Sequence, residues 1–268
     1  MRDQVIGGEK NFWLYSEAYG YDLTHPLKPT SPYVYPRIQL ETTKGPIAID
    51  PHKSALVIVD MQNYFLSPSL GNPSDGAALK AMDQLLKHAI PACRMTGMPI
   101  VWLNWGLTQE DIDEMPPTML KRHDKMGSDI GPVKLENGSV VDGGRVLVRD
   151  HWNSESYPPL KEACEPQDIC VNKNRTSGFW GGKKDIEEVL TISGIRTLLF
   201  AGANIDQGVG ASLHDALTKG WDCLLLSDGC ATASPDFATQ FIEYNCEVGW
   251  GFVLTCKELA KGVDNMEE

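Results

Sequence analysis

The chain has 268 residues, 42% hydrophobic and 22% charged, which is enough apolar material for one large domain or a domain with an appendage. Its formal net charge of −12 excludes nucleic acid as an expected partner, because phosphates need a basic surface, and the scattered acids read as a solubilising exterior. No run of about 18 apolar residues exists to span a membrane, and the opening MRDQVIGGEKNFW lacks the apolar stretch of a signal peptide. The cysteines (Cys93, Cys164, Cys170, Cys223, Cys230, Cys246 and Cys256) form no CxxC pair, and several lie in apolar runs. They are expected to be reduced, mostly buried thiols of a cytoplasmic protein.

Residues 1–48 are rich in Tyr, Pro and Thr and show little periodicity. They read as an extended arm packed on the domain surface or on a neighbouring subunit, with too many aromatics for a disordered tail. The domain proper spans 49–268. SALVIVD (54–60) is a continuous, β-branched apolar run ending in an acid, the pattern of a central parallel strand. Asp75 is placed to cap a long helix, GAALKAMDQLLKHAIPACRMTG, with a kink expected at Pro91. PIVWLNW (99–105) is the second strand, and a loop-rich insertion follows in which RVLVRD (145–150) suggests a short strand or hairpin arm. DICVNK (168–173) is the third core strand. KKDIEEVLTISG is a helix stopped by Gly194, and RTLLFAG (196–202) is the fourth strand. The helix DQGVGASLHDALTKG, the strand WDCLLLSD (221–228), a helix with a Ser-Pro start, the strand GWGFVLT (249–255) and a short closing helix complete the chain.

Alternating strands and helices predict a three-layer α-β-α fold around a central, mainly parallel six-stranded sheet. Ligands in such folds bind beyond the carboxyl ends of the strands. That rule selects Asp60, Asn104, Lys173 and the loop GANIDQG. Alone, Asp60 reads as a turn acid or cap and Lys173 as a solvated lysine. Together they can meet in one cleft, where the pairing would lower the carboxylate pKa. The loop turns from strand to helix, and its N–H groups can face a developing oxyanion; a plain glycine turn is the other reading.

In this order and spacing, ALVIVDMQNYF, KNRTSGF, GANIDQGV and SDGCATASPDF resemble the isochorismatase-like (cysteine hydrolase) superfamily over about residues 50–260. The stretch from VWLNWG through KNRTSGFW is most similar to ureidoacrylate amidohydrolases and related amidases. The resemblance implies a hydrolase with an Asp–Lys–Cys triad, in which Asp60 matches the acid/base and Lys173 the lysine. Gly208 stands where the nucleophilic cysteine belongs, and Ile205 where the family usually has threonine. Glycine cannot form a thioester.

Three explanations stay open: a naturally nucleophile-free enzyme, as in the isochorismatases that cleave a vinyl ether with glycine at this position; an engineered Cys-to-Gly change; or a catalytically dead relative that binds a ligand or partner. The resemblance further implies main-chain donors at Asn204 and Gly208, with a cis peptide before Asn204. Its candidate substrate contacts are Gln62, Phe65, Asn104, Trp105 and Arg175, with Trp152, Phe179 and Trp180 as lid aromatics. The substrate is then a small planar molecule, and a homo-oligomer (dimer or tetramer) is expected. No cofactor is expected, since no phosphate-binding fingerprint appears. No metal is expected either: NWGLTQ lacks an Asp-x-His pair, and His123 and His151 lack ligand spacing.

Overall fold

The computed structural model describes residues 4–122, 125–181 and 186–267. The six apolar runs form one all-parallel sheet. Its strands are β1 (Ser54–Val59), β2 (Ile100–Trp105), β3 (Ile169–Lys173), β4 (Thr197–Ala203), β5 (Asp222–Ala231) and β6 (Phe252–Leu254), in the order β3-β2-β1-β4-β5-β6. Successive side chains of β1 alternate between two cores. Leu56 and Ile58 pack with Met82, Leu85, Ile90, Leu259 and Val263, whereas Ala55, Val57 and Val59 pack with Leu190, Leu213, Ala216 and Ile242. Because helices cover both faces, a central strand needs apolar residues at every position, and this produced the unbroken run in the sequence.

The long helix is present with two differences. Gly76, not Asp75, is its N-cap, and no side chain bonds there. Between Ala77–Gln84 and Ile90–Thr96 the helix widens at Leu85–Ala89, where the Ile90 N–H reaches Leu85 O. Pro91 follows at once; it has no N–H to donate, and its ring crowds the turn before it. Gly97 (φ 68°) ends the helix in the left-handed conformation. Of the helix read in KKDIEEVLTISG, residues 183–185 lie outside the described residues and Ile186–Ile192 is helical.

The first 49 residues depart from the expected extended arm. Gln4–Gly8, Asn11–Ser16, Gly20–Asp22, Ile38–Thr42 and Gly45–Ile49 form a separate five-stranded sheet. Leu23, Ile38, Leu40, Ile47 and Ile49 are fully buried in the same core as β1. Asp222, at the start of β5, accepts from Trp13 Nε1 (2.7 Å) and meets His25 Nε2 (2.6 Å), which fastens this sheet to the large one. RVLVRD is not a strand: Leu147 (φ 59°) and Asp150 (φ 65°) break the extended path, leaving single bridges at Arg145 and Val148. The insertion instead holds a hairpin, Pro132–Lys134 with Val140–Asp142. It has its own small core of Trp105, Leu107, Met115, Met126, Val146 and Leu147.

Candidate active site

β1 delivers Asp60 to the carboxyl edge of the sheet. Its φ of 55° is left-handed, a strained conformation for a residue with a side chain, and it turns the carboxylate across the strand ends. Oδ1 accepts from Trp105 N (3.2 Å) and Oδ2 lies 3.0 Å from Lys173 Nζ. Lys173 closes the edge strand β3; its ammonium also donates to Arg175 O (3.2 Å) and Thr176 O (3.1 Å) and sits 3.8 Å from the centre of the Trp105 ring. Both groups are buried, at 2% and 4% exposure.

Burial decides their protonation. It pushes Asp60 up to about 6; the Lys173 charge, the Lys173 hydrogen bond and the Trp105 N–H pull it back only in part. The net shift is therefore opposite to the depression expected from pairing alone. Burial likewise lowers Lys173, against the pull of Asp60.

Across from Asp60, β4 runs into the turn Asn204–Gly208. The Ala203–Asn204 peptide is cis, as the resemblance implied. Asn204 O accepts from Gln207 N (3.0 Å) and Val209 N (3.2 Å), a widened first turn that leads into the helix Gly210–Thr218. Ser212 Oγ donates to Gly208 O (2.6 Å) and accepts from Gly178 N (3.0 Å), tying the turn to the loop after β3. A β-carbon built on Gly208 would run into Asp60 Oδ2 and lie 3.3 Å from Val59 Cγ1. The carboxylate thus fills the volume that a side chain at 208 would need.

The structure brings Asp60, Lys173, Trp105 and Gly208 together. It places the other candidates differently. Gln62 is fully buried and committed to main chain: its Nε2 donates to Trp105 O (2.7 Å) and Ser154 O (2.6 Å), and its Oε1 accepts from Trp105 N (3.1 Å). Asn104 precedes Trp105 and so points to the opposite face of β2, where its Nδ2 reaches Ser156 Oγ (3.2 Å). Phe179 is not a lid residue: it is fully buried beneath the sheet, edge-on to Phe200 and Trp221.

Trp180 is exposed, stacked under Arg175 at 5.0 Å and bonded through Nε1 to Asn174 Oδ1 (3.0 Å). Arg175 is further held by Asn174 O and Glu114 O. Phe65 packs edge-on to Tyr64, and Trp152 offers its carbonyl to Asn63 Nδ2 (2.7 Å). The His151 ring packs against Gly144; His123 lies outside the described residues.

One network escaped the sequence reading. Asp206, inside the turn, accepts from Thr232 Oγ1 (2.6 Å) and Ser234 Oγ (2.8 Å). These bonds tie GANIDQGV to SDGCATASPDF: the second segment holds the first. The signal was the coincidence of an acid in one with hydroxyls in the other.

A three-layer α/β fold that buries a carboxylate and an ammonium beside a strand-to-helix turn has the parts of a hydrolase. The isochorismatase domain model matches residues 54–246, which is most of the chain, and the protein belongs to the isochorismatase family of hydrolases. Ureidoacrylate amidohydrolase RutB of Caulobacter segnis is 27% identical over 238 residues, covering 87% of this chain and 94% of that protein. RutB of Rhizobium rhizogenes is 28% identical over 230 residues, 84% of this chain and 89% of that protein. Among solved structures, a cysteine hydrolase from Pseudomonas syringae pv. phaseolicola superposes with a TM-score of 0.66 at 17% identity, over 87% of this chain and 99% of that one. N-carbamoylsarcosine amidase from Thermoplasma acidophilum gives 0.56 at 20% identity, over 76% and 96%. At these identities the structural matches speak for the fold.

Proposed function

We propose that this protein hydrolyses a small planar substrate by acid–base chemistry of Asp60, without a covalent enzyme intermediate. The observation that carries the reading is the Asp60 carboxylate itself, paired with Lys173 and lying in the space a nucleophilic side chain at 208 would need. A carboxyl held near 6 is partly protonated at neutral pH and serves as a general acid. With a vinyl ether, Asp60 delivers its proton to the terminal carbon. Water adds to the resulting oxocarbenium carbon and gives a proton back to the carboxylate, and the hemiketal separates into alcohol and ketone. Lys173 holds the carboxylate in place, and the Asp60 carboxylate left after the proton is delivered faces the positive oxocarbenium; the main chain at Asn204 and Gly208 is the proposed oxyanion site of the C–N reading below.

A second reading is C–N hydrolysis of a ureido or carbamoyl substrate, abolished or slowed by the glycine; it is favoured by the RutB relatives, which match along nearly their whole length. The test is turnover of vinyl-ether, ureido and amide substrates by this chain, Asp60→Asn and Gly208→Cys. Turnover of a vinyl ether by the unmodified chain, lost in Asp60→Asn, supports the first reading. Turnover of an amide only by Gly208→Cys supports the second, and no turnover by any of them points to a binding protein.

The expected homo-oligomer belongs to the same proposal. Phe237, Phe241 and Tyr244 on the helix Asp236–Asn245, with Val248 after it, form an exposed apolar stripe that supports it. A cytoplasmic setting is supported by thiols that are all unbridged.

A further inference from the structure

Trp105 closes β2 as Lys173 closes β3. The two strands run parallel with these residues as partners in the ladder, so both side chains leave the same face side by side. That register lays the indole on the ammonium, with Lys173 Nζ 3.8 Å from the ring centre. The same residue reaches the other charge through its main chain, where Trp105 N donates to Asp60 Oδ1 at 3.2 Å. One residue thus touches both members of the buried pair, the carboxylate with a donor and the ammonium with a π face.

The remaining surroundings of Lys173 are fully occupied. Asp60 Oδ2 (3.0 Å), Thr176 O (3.1 Å) and Arg175 O (3.2 Å) match the three donors of an ammonium, so none is left for a substrate. Among the described residues, the only charge acting on Asp60 is Lys173 and the only one acting on Lys173 is Asp60; the Arg175 guanidinium is turned away onto Trp180. The indole itself is fixed. It is 3% exposed and belongs to the small core of the insertion, with Leu107, Met115, Met126, Val146 and Leu147. Its carbonyl is held by Gln62 Nε2 at 2.7 Å.

We propose that Trp105 is a positioning residue and not a substrate contact: the core of the insertion holds its indole against Lys173, and the indole keeps that lysine a charged, stationary partner of Asp60. An ammonium out of water is costly, and the negative face of the ring offsets part of that cost. With the ring in place, a full positive charge stays beside Asp60 Oδ2 and restrains the rise that burial imposes on the carboxyl, which settles at about 6. Without the ring the ammonium is less stable and less confined. Its pull on Asp60 weakens, and the carboxyl keeps its proton to higher pH. The role serves the acid chemistry proposed above for Asp60, but it is expressed in a titration that needs no substrate.

The test is carbon-13 NMR of the full chain labelled at the aspartate side-chain carboxyls, with the Asp60 signal identified by its loss in Asp60→Asn. Its titration midpoint is followed in the parent, in Trp105→Leu and in Trp105→Phe. The expected result is a midpoint about one pH unit higher in Trp105→Leu, with Trp105→Phe, which restores a π face, closer to the parent. The parent grown on 5-fluorotryptophan keeps the shape of the indole and weakens its π face, so it answers even where the leucine chain does not fold; its midpoint should also rise. A midpoint unchanged or lowered in Trp105→Leu, a rise in Trp105→Phe as large as in Trp105→Leu, or a midpoint unmoved by fluorination would overturn the proposal. Such a failure leaves the acid role of Asp60 to its own test, the loss of turnover in Asp60→Asn.

Discussion

Asp60 and Gly208 compete for one volume: the carboxylate Oδ2 stands where a side chain at 208 would begin. Oδ2 is held there from the other side by Lys173 at 3.0 Å, while Oδ1 is held by the Trp105 N–H at 3.2 Å. The carboxylate has little freedom to withdraw, so the glycine and the position of the acid are two aspects of one arrangement.

Gly208→Ala and Gly208→Cys should therefore destabilise the fold, by about 1–3 kcal/mol, the usual cost of overpacking. Urea denaturation of both variants reads this directly. A Gly208→Ala protein as stable as its parent would mean that the carboxylate yields freely and is not fixed against the turn.

Breaking the buried pair from one side should cost more than removing both charges. Asp60→Asn leaves Lys173 buried against a neutral partner, and Lys173→Met strands the carboxylate; each is expected to lose about 3–5 kcal/mol. The double variant should recover part of that loss, because no lone charge remains. The four proteins of the cycle, compared by chemical denaturation, give the coupling; additive losses would show that the two groups act independently. Asp60→Asn should also abolish turnover.

The pH dependence has a defined sign. Asp60 titrates near 3.8 when unfolded and at about 6 in the fold. Its contribution to stability is fully present below 3.8 and is lost as pH rises through about 6. If the protonated carboxyl is the acid of the reaction, kcat/KM falls with rising pH through the same region. A rate profile flat from pH 5 to 7.5 would remove Asp60 from that role.

Gln62 should prove a positioning residue. Its amide satisfies two carbonyls and one N–H at full burial. Gln62→Leu removes its amide from the Trp105 and Ser154 carbonyls and leaves the Trp105 N–H to Asp60 Oδ1 alone, and it is expected to cost about 2–4 kcal/mol. Saturation kinetics separate the alternatives: a substrate contact would raise KM, whereas a misplaced Trp105 N–H would alter kcat and its pH profile through Asp60.

How much of this was legible in the sequence follows from how each feature is encoded. β1 and β4 announce themselves because a strand buried on both faces must be apolar throughout. Asp60 and Lys173 stand out because they sit at the carboxyl ends of strands, where topology puts ligands, and Gly208 because the resemblance implies a cysteine there. Asn104 and Phe179 were misplaced for a different reason: a residue beside a site residue along the chain faces the other way across a sheet or drops beneath it. The first 49 residues hid their sheet because its strands are short and interrupted by Pro-rich loops. The Asp206–Thr232–Ser234 network joins distant segments and leaves no periodic trace. The position of the Asp60 carboxylate depends on three elements at once, so no single stretch encodes it.

The strand Ile38–Thr42 packs on the helix Cys256–Asp264, Thr43 N bonds to Val253 O, and Arg37 and Glu267 exchange main-chain hydrogen bonds at 2.9 and 3.1 Å. Early and late segments are thus stitched into a single hydrophobic interior. A nascent polypeptide emerging from the ribosome cannot complete that interior until residue 267 is clear of the exit tunnel, so the first sheet, whose strands pair with one another, keeps an apolar face open until the helix Cys256–Asp264 arrives to cover it.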